Sequence, residues 1–185
     1  MAKIFPEITD KLRAWIEEQK MFFVGSAPLA ADGFVNCSPK GLDSFRILGD
    51  HEAAYLDMIG SGIETVADLR ENGRIVIMFC SFDRVPRIVR LHGKGTVYEK
   101  GTAEFAEYEK LFPHFEGERA IIHIDVTRVS DSCGYGVPIY EYVGQRDTMA
   151  KWVQAQGDQG LRDFVVEQNT SSINGLPGLA GVQKS

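Results

Sequence analysis

Apolar positions change their period several times along the chain. Ile8, Leu12, Trp15 and Ile16 recur at i, i+4, i+7 and i+8, one face of an amphipathic helix, with Pro6 suited to its first turn. Met21–Pro28 reads as a strand, Ala31-Asp32-Gly33 as a turn, and Phe34–Ser38 as the returning strand of a hairpin. Ala53–Met58 is a further apolar strand. Ser61-Gly62-Ile63-Glu64 has the S-x-x-E form of a capping box opening a helix, with Val66 and Leu69 inward and Asn72-Gly73 as its stop.

Ile75–Cys80 is an unbroken apolar run, the pattern of a buried strand. Arg87–Tyr98 is a long strand interrupted by Gly93 and Gly95, which predicts a bulge or a bend at a barrel corner. Thr102 caps a helix carrying Phe105, Tyr108 and Phe112. Ile122, Ile124 and Val126 alternate with His123, Asp125 and Thr127, a half-buried strand. Asp147 opens a helix with Trp152 and Val153, and Asp158 a second with Leu161, Phe164 and Val165. The remainder from Asn169 is rich in Ser, Gly and Pro and reads as an extended arm.

About six strands or more, mostly joined by short turns, favour a mainly β, α+β antiparallel barrel with flanking helices over alternating βαβ units. The division that follows is one domain over 1–168 and an arm over 169–185. At 185 residues the chain suits one well-cored domain. The 20 Lys+Arg and 26 Asp+Glu give a net charge of −6, which leaves no broad basic face for nucleic acid. A local basic cluster therefore reads as a site for a small anion.

The 3 cysteines, Cys37, Cys80 and Cys133, are too sparse for a disulfide framework and fit a reducing cytoplasm. Met1–Pro6 lacks the pattern of a secretory signal, and no apolar run approaches a membrane span, which takes roughly 20 residues.

Four constellations could carry chemistry. Asn36-Cys37-Ser38-Pro39-Lys40-Gly41 is either an anion cradle at a strand end or an ordinary polar turn. The helix start at Ser61–Thr65 is either a phosphate site, using free N–H groups and the helix dipole, or a structural cap. Arg84, Arg87 and Arg90, with Lys94 beyond, either grip phosphate or protect an edge strand with charge. Cys133-Gly134-Tyr135-Gly136-Val137-Pro138, with Tyr140 and Tyr142, offers flexible backbone and rings that stack on a flat ligand. His51, His92, His114 and His123 are scattered without metal-ligand spacing, so no metal site is expected. No catalytic side chain stands out.

The order of these motifs is more specific than any one of them. Gln19–Val24, Val35–Gly41, Tyr55-Leu56-Asp57, Gly60-Ser61-Gly62, Leu69–Ile75, Pro86–Gly93, Cys133–Pro138 and Asn174–Leu179 together resemble the pyridoxamine 5′-phosphate oxidase-related flavin-binding split-barrel family over nearly the whole length. The resemblance implies a six-stranded split barrel that dimerises and holds flavin mononucleotide (FMN) at the interface. It places Asn36, Cys37, Ser38, Lys40, Asp57, Ser61, Gly62, Thr65, Arg87 and Arg90 at the cofactor.

The end, Gly178–Ser185, lacks the Arg-rich segment by which true pyridoxamine-phosphate oxidases hold their substrate. The expectation is a cytoplasmic FMN-dependent oxidoreductase acting on a small molecule other than vitamin B6. A deazaflavin reductase of the same fold is one alternative. A non-catalytic flavin- or haem-binding module, with His92 or His123 toward haem, is the other.

Overall fold

A computed structural model describes residues 3–182. Its centre is one antiparallel sheet, curled so that both ends face the same core. Among the described residues it has eight strands: β1 (Lys3–Phe5), β2 (Phe22–Ser26), β3 (Asn36–Lys40), β4 (Phe45–Gly49), β5 (Glu52–Met58), β6 (Arg74–Cys80), β7 (Ile88–Glu99) and β8 (Glu118–Ser132). Their order is β3-β2-β6-β7-β8-β5-β4, with β1 on the free part of β8. The fold is the expected α+β antiparallel barrel. The two strands beyond the expected six include β1 and β4, whose short runs KIF and FRILG carry no clear period.

The ends of the sheet meet through aromatic rings. Phe22 of β2 and Phe45 of β4 have centroids 5.2 Å apart, and Phe79 of β6 packs 5.0 Å from Phe45. Ile77, Leu91, Ile122 and Ile124 are fully buried beside them. These inward residues alternate along their strands, which is why period-two patterning located the core.

Four helices decorate the sheet among the described residues: α1 (Asp10–Glu18), α2 (Glu64–Asn72), α3 (Ala103–Tyr108) and α4 (Thr148–Gln168). α1 buries Leu12 and Ile16, as its period requires. It starts later than Pro6 in the first turn would suggest, because Thr9 is the N-cap and accepts from the Leu12 N–H at 3.4 Å. Pro6 stands outside it, just after the pairing of Lys3–Phe5 with β8. α2 packs on β2, β6 and β7 and ends at Gly73, whose φ of 70° is the left-handed stop expected of Asn72-Gly73.

The Thr102 cap on α3 is formed, with its hydroxyl accepting from the Phe105 N–H at 3.2 Å. α4 is broken at Gly157 (φ 61°, ψ 176°), so two helical halves meet where two helices were expected. Gly93 sits at a bulge, since the β7–β8 register shifts between His92 and Gly93. A side chain at Gly95 would collide with Leu69 of α2, so the second glycine admits the helix.

The segment after α4 folds back on the body. Ser171 and Pro177 form a β-bridge, and Leu179 is buried in the main core. Residues 1, 2 and 183–185 lie outside the described residues, as do those parts of the expected signal-free start and of the arm.

Candidate functional site

The densest group of buried charge lies where β3, β5 and β8 converge. Asp57 is fully buried. Lys40 donates to its Oδ1 at 2.7 Å, and Arg119 donates from Nε to its Oδ2 at 2.7 Å. Burial pushes the Asp57 carboxyl up, but Lys40 and Arg119 together outweigh it and hold the carboxyl below its usual range. Two cations face one carboxylate, so the cluster carries an excess positive charge.

Local sequence explains the convergence. β3 is an edge strand paired only with β2, so Pro39 is tolerated there. Asn36, Ser38 and Lys40 alternate onto one face of it, while Cys37 points the other way and is exposed. Arg119 arrives by a different device. Asp57 pairs with Ala120 and Met58 with Glu118, so Arg119 is the extra residue of a β-bulge. A bulge re-aims a side chain, and here it turns Arg119 onto Asp57.

Arg119 also fixes the loop before α2. Its Nη1 donates to the Gly62 carbonyl at 2.8 Å and to Asn169 Oδ1 at 2.9 Å. Asn169 in turn donates to the Gly60 carbonyl at 2.9 Å. With both loop carbonyls engaged, the backbone does not turn as the expected capping box requires. Ile63 is the N-cap of α2 and forms no side-chain cap bond, and Ser61 is left exposed on the cleft.

A second polar chain runs from β3 to α2. Ser38 donates to Asn36 Oδ1 at 2.9 Å, and Asn36 donates to Thr65 Oγ1 at 2.9 Å and Ser26 Oγ at 3.1 Å. Ser26 donates to Asp68 at 2.7 Å. Burial pushes the Asp68 carboxyl up, and the Ser26 bond only partly offsets it.

A cleft of about 420 Å³ opens over these groups, lined by Ser38, Lys40, Ser61, Gly62, Thr65 and Arg119. Of the residues expected at a cofactor, it gathers Ser38, Lys40, Ser61, Gly62 and Thr65. Asp57 lies beneath it and Asn36 behind it. Arg87 and Arg90 are not brought there. Arg87 donates to Asp131 at 2.8 Å and lies over the Trp15 ring, and Arg90 donates to Ser132 at 2.9 Å. Arg119 and Asn169 were missed. Arg119 precedes the first apolar alternation of β8, and Asn169 looks like any residue at a helix end.

A larger cavity of about 1050 Å³ adjoins the cleft and shares Gly41, Leu42, Ile59, Gly60, Ser61 and Met149 with it. The histidines stand apart from both. His123 is buried, with Nε2 2.6 Å from Glu52 Oε1. Burial lowers the His92 imidazole, and Arg128 and Arg90 add to that. No cluster of three or more His, Cys, Asp or Glu side chains able to hold a metal occurs among the described residues, and no helix there is long and apolar enough to cross a membrane.

Comparison with known proteins bears on this geometry. The sequence profile of pyridoxamine 5′-phosphate oxidase matches residues 8–133. A protein of Aspergillus flavus named pyridoxamine 5′-phosphate oxidase family protein ustO is 38% identical over 196 residues, covering 97% of this chain and 78% of its own. Two crystal structures share the fold. HupZ of Group A Streptococcus has a TM-score of 0.50 at 24% identity, covering 66% of this chain and 91% of its own. A pyridoxinephosphate oxidase family protein of Clostridium acetobutylicum, related to general stress protein 26, has a TM-score of 0.51 at 14% identity, covering 66% of this chain and 86% of its own.

Proposed function

Because the chain belongs to the pyridoxamine 5′-phosphate oxidase family, we propose that it binds FMN in the smaller cleft and works as an FMN-dependent oxidoreductase on a small molecule. The observation that carries this reading is the pair of cations, Lys40 and Arg119, held at the cleft by the buried Asp57. A phosphate monoester accepts charge-assisted hydrogen bonds from such donors. The Ser38, Ser61 and Thr65 hydroxyls add neutral partners on the same walls. The first N–H groups of α2 have no acceptor among the described residues, and their dipole favours an anion. Glu64 also lines the cleft and folds back over Gly62, which opposes an anion at the helix end, so the donors of Lys40 and Arg119 carry the reading.

Bound flavin supplies the hydride chemistry. The chain's own part is to bind and orient it. Asp57 holds Lys40 and Arg119 extended, Arg119 and Asn169 fix the Gly60–Gly62 loop, and the Ser38–Asn36–Thr65 chain sets the spacing of β3 from α2. No side chain is assigned as a proton donor. The cytoplasm is the compartment that fits the unpaired cysteines, and a homodimer is the assembly that would enclose the cofactor. In this reading the domain over 1–168 carries the cofactor, and the described part of the arm over 169–185, residues 169–182, clamps its loop.

Titration of the purified chain with FMN, followed by flavin fluorescence, tests the reading. Saturable binding is expected, and Lys40→Ala should weaken it by about 1–3 kcal/mol. Arg90→Ala locates the site. Unchanged affinity confines the cofactor to the cleft, and a comparable loss puts the Arg87–Arg90 edge against the cofactor too. A chain that stays apo at high micromolar FMN, or binds a deazaflavin more tightly, overturns the proposal.

A further inference from the structure

The geometry points to the larger cavity as the site of a neutral, flat, conjugated substrate of two or more fused rings. This rests on the flavin reading of the neighbouring cleft. The two spaces share the wall formed by Gly41, Leu42, Ile59, Gly60 and Ser61, so a molecule in one abuts a molecule in the other. At about 1050 Å³ the space exceeds what a single small ring fills, since pockets for drug-sized ligands span roughly 300–1,000 Å³.

Its lining sets the chemistry. Tyr140 stacks on Phe82 with centroids 5.4 Å apart and planes 19° from parallel. Elsewhere on the lining, Trp152 meets Phe164 edge-on at 4.8 Å and 70°. Two aromatic pairs favour a planar guest, which adds stacked and edge contacts to simple burial. The roof is pinned in place rather than draped. The Tyr140 N–H donates to the Phe82 carbonyl at 3.0 Å, and Gln145 donates to the Lys20 carbonyl at 3.0 Å.

Charge argues against a phosphorylated substrate. The lining carries Lys20 and Arg146 against Glu18, Asp83 and Glu141, and Lys20 already lies 6.0 Å over the Tyr142 ring. The balance is negative. Tyr140, Trp152 and Phe164 all lie beyond residue 133, where the match to the family profile ends. The family profile covers the barrel and not this roof, which is shared with the Aspergillus flavus relative that aligns with 97% of this chain.

Calorimetric titration of the full chain with 2-naphthol, in flavin-free and FMN-loaded forms, tests the assignment. Saturable binding is expected in both. Tyr140→Ala and Trp152→Ala should each weaken it about tenfold, the equivalent of one lost aromatic contact with its burial, whereas Trp152→Phe should keep most of it. Tyr140 is exposed, so its variant isolates binding from folding, and thermal melting checks both. Pyridoxamine 5′-phosphate should not displace the probe. Absence of 2-naphthol binding, affinity unmoved by both alanine variants, or displacement by pyridoxamine 5′-phosphate overturns the assignment. Failure of the flavin reading looks different: FMN does not bind, while 2-naphthol still does.

Discussion

Arg119→Met is expected to destabilise the fold by about 3–5 kcal/mol, read as a lower urea midpoint at unchanged slope. Arg119 and Asp57 are both buried, and methionine approximates the volume of the removed stem. The loss is therefore electrostatic rather than a cavity. Asp57 is left in the interior with Lys40 alone, and the carbonyl of Gly62 and Oδ1 of Asn169 lose their donor. A pH series separates these effects.

The folded Asp57 carboxyl titrates below its ordinary value of 3.8. An acid with a depressed folded pKa stabilises the fold above its unfolded pKa, and that contribution is lost as pH falls through the folded value. The native chain should therefore lose stability on acidification below about pH 4. In Arg119→Met the depression shrinks, so this part of the acid loss should be smaller. An Arg119→Met chain as stable as the native one at pH 7, with the same acid profile, would show that the ion cluster does not hold the site.

The same cluster shows what could be read without coordinates. Lys40 stood in a run, Asn36–Gly41, that reads as either an anion cradle or an ordinary polar turn, and the family resemblance placed it at the cofactor. Asp57 was reached only through the family resemblance, since an acid inside the apolar run Ala53–Met58 breaks the period and announces nothing about its partners. Arg119 was invisible because its direction is set by a bulge, a property of the β5–β8 pairing and not of either strand. Arg87 and Arg90 show what spacing alone leaves out. Their density suggested a grip on phosphate, yet each has a local partner across β7 and β8, and sequence distance hid those partners. The capping box at Ser61 failed for a related reason, because contacts from Arg119 and Asn169 override a local preference worth about 1 kcal/mol. The barrel itself was legible, because alternation and the glycines at the bends are written along the strands.

Gly178→Ala should unlatch the segment after α4, at a cost of about 3 kcal/mol or more from forced repacking and the lost burial of Leu179. Its Cβ would fall on the backbone carbonyl of Asn169 and 3.0 Å from Ile63 Cγ1. Backbone cannot swing aside as a long side chain does, so the two strands of chain must part. Parting breaks the bonds from the Gly178 N–H to the Thr170 carbonyl and from the Leu179 N–H to the Asn169 carbonyl, both 2.9 Å. It also withdraws Leu179 from the main core. The consequence reaches the cofactor cleft, because Asn169 is the residue that joins Arg119 to the Gly60 carbonyl. A lower urea midpoint, faster proteolysis within 169–182 and weaker FMN binding are therefore expected together. Gly181→Ala, in the same segment with open space around it, should change stability by no more than about 0.5 kcal/mol. If Gly178→Ala lowers stability but leaves FMN affinity untouched, the segment anchors the fold without holding the loop over the cleft. If neither changes, the close approach of Gly178 to Asn169 is not what fastens it.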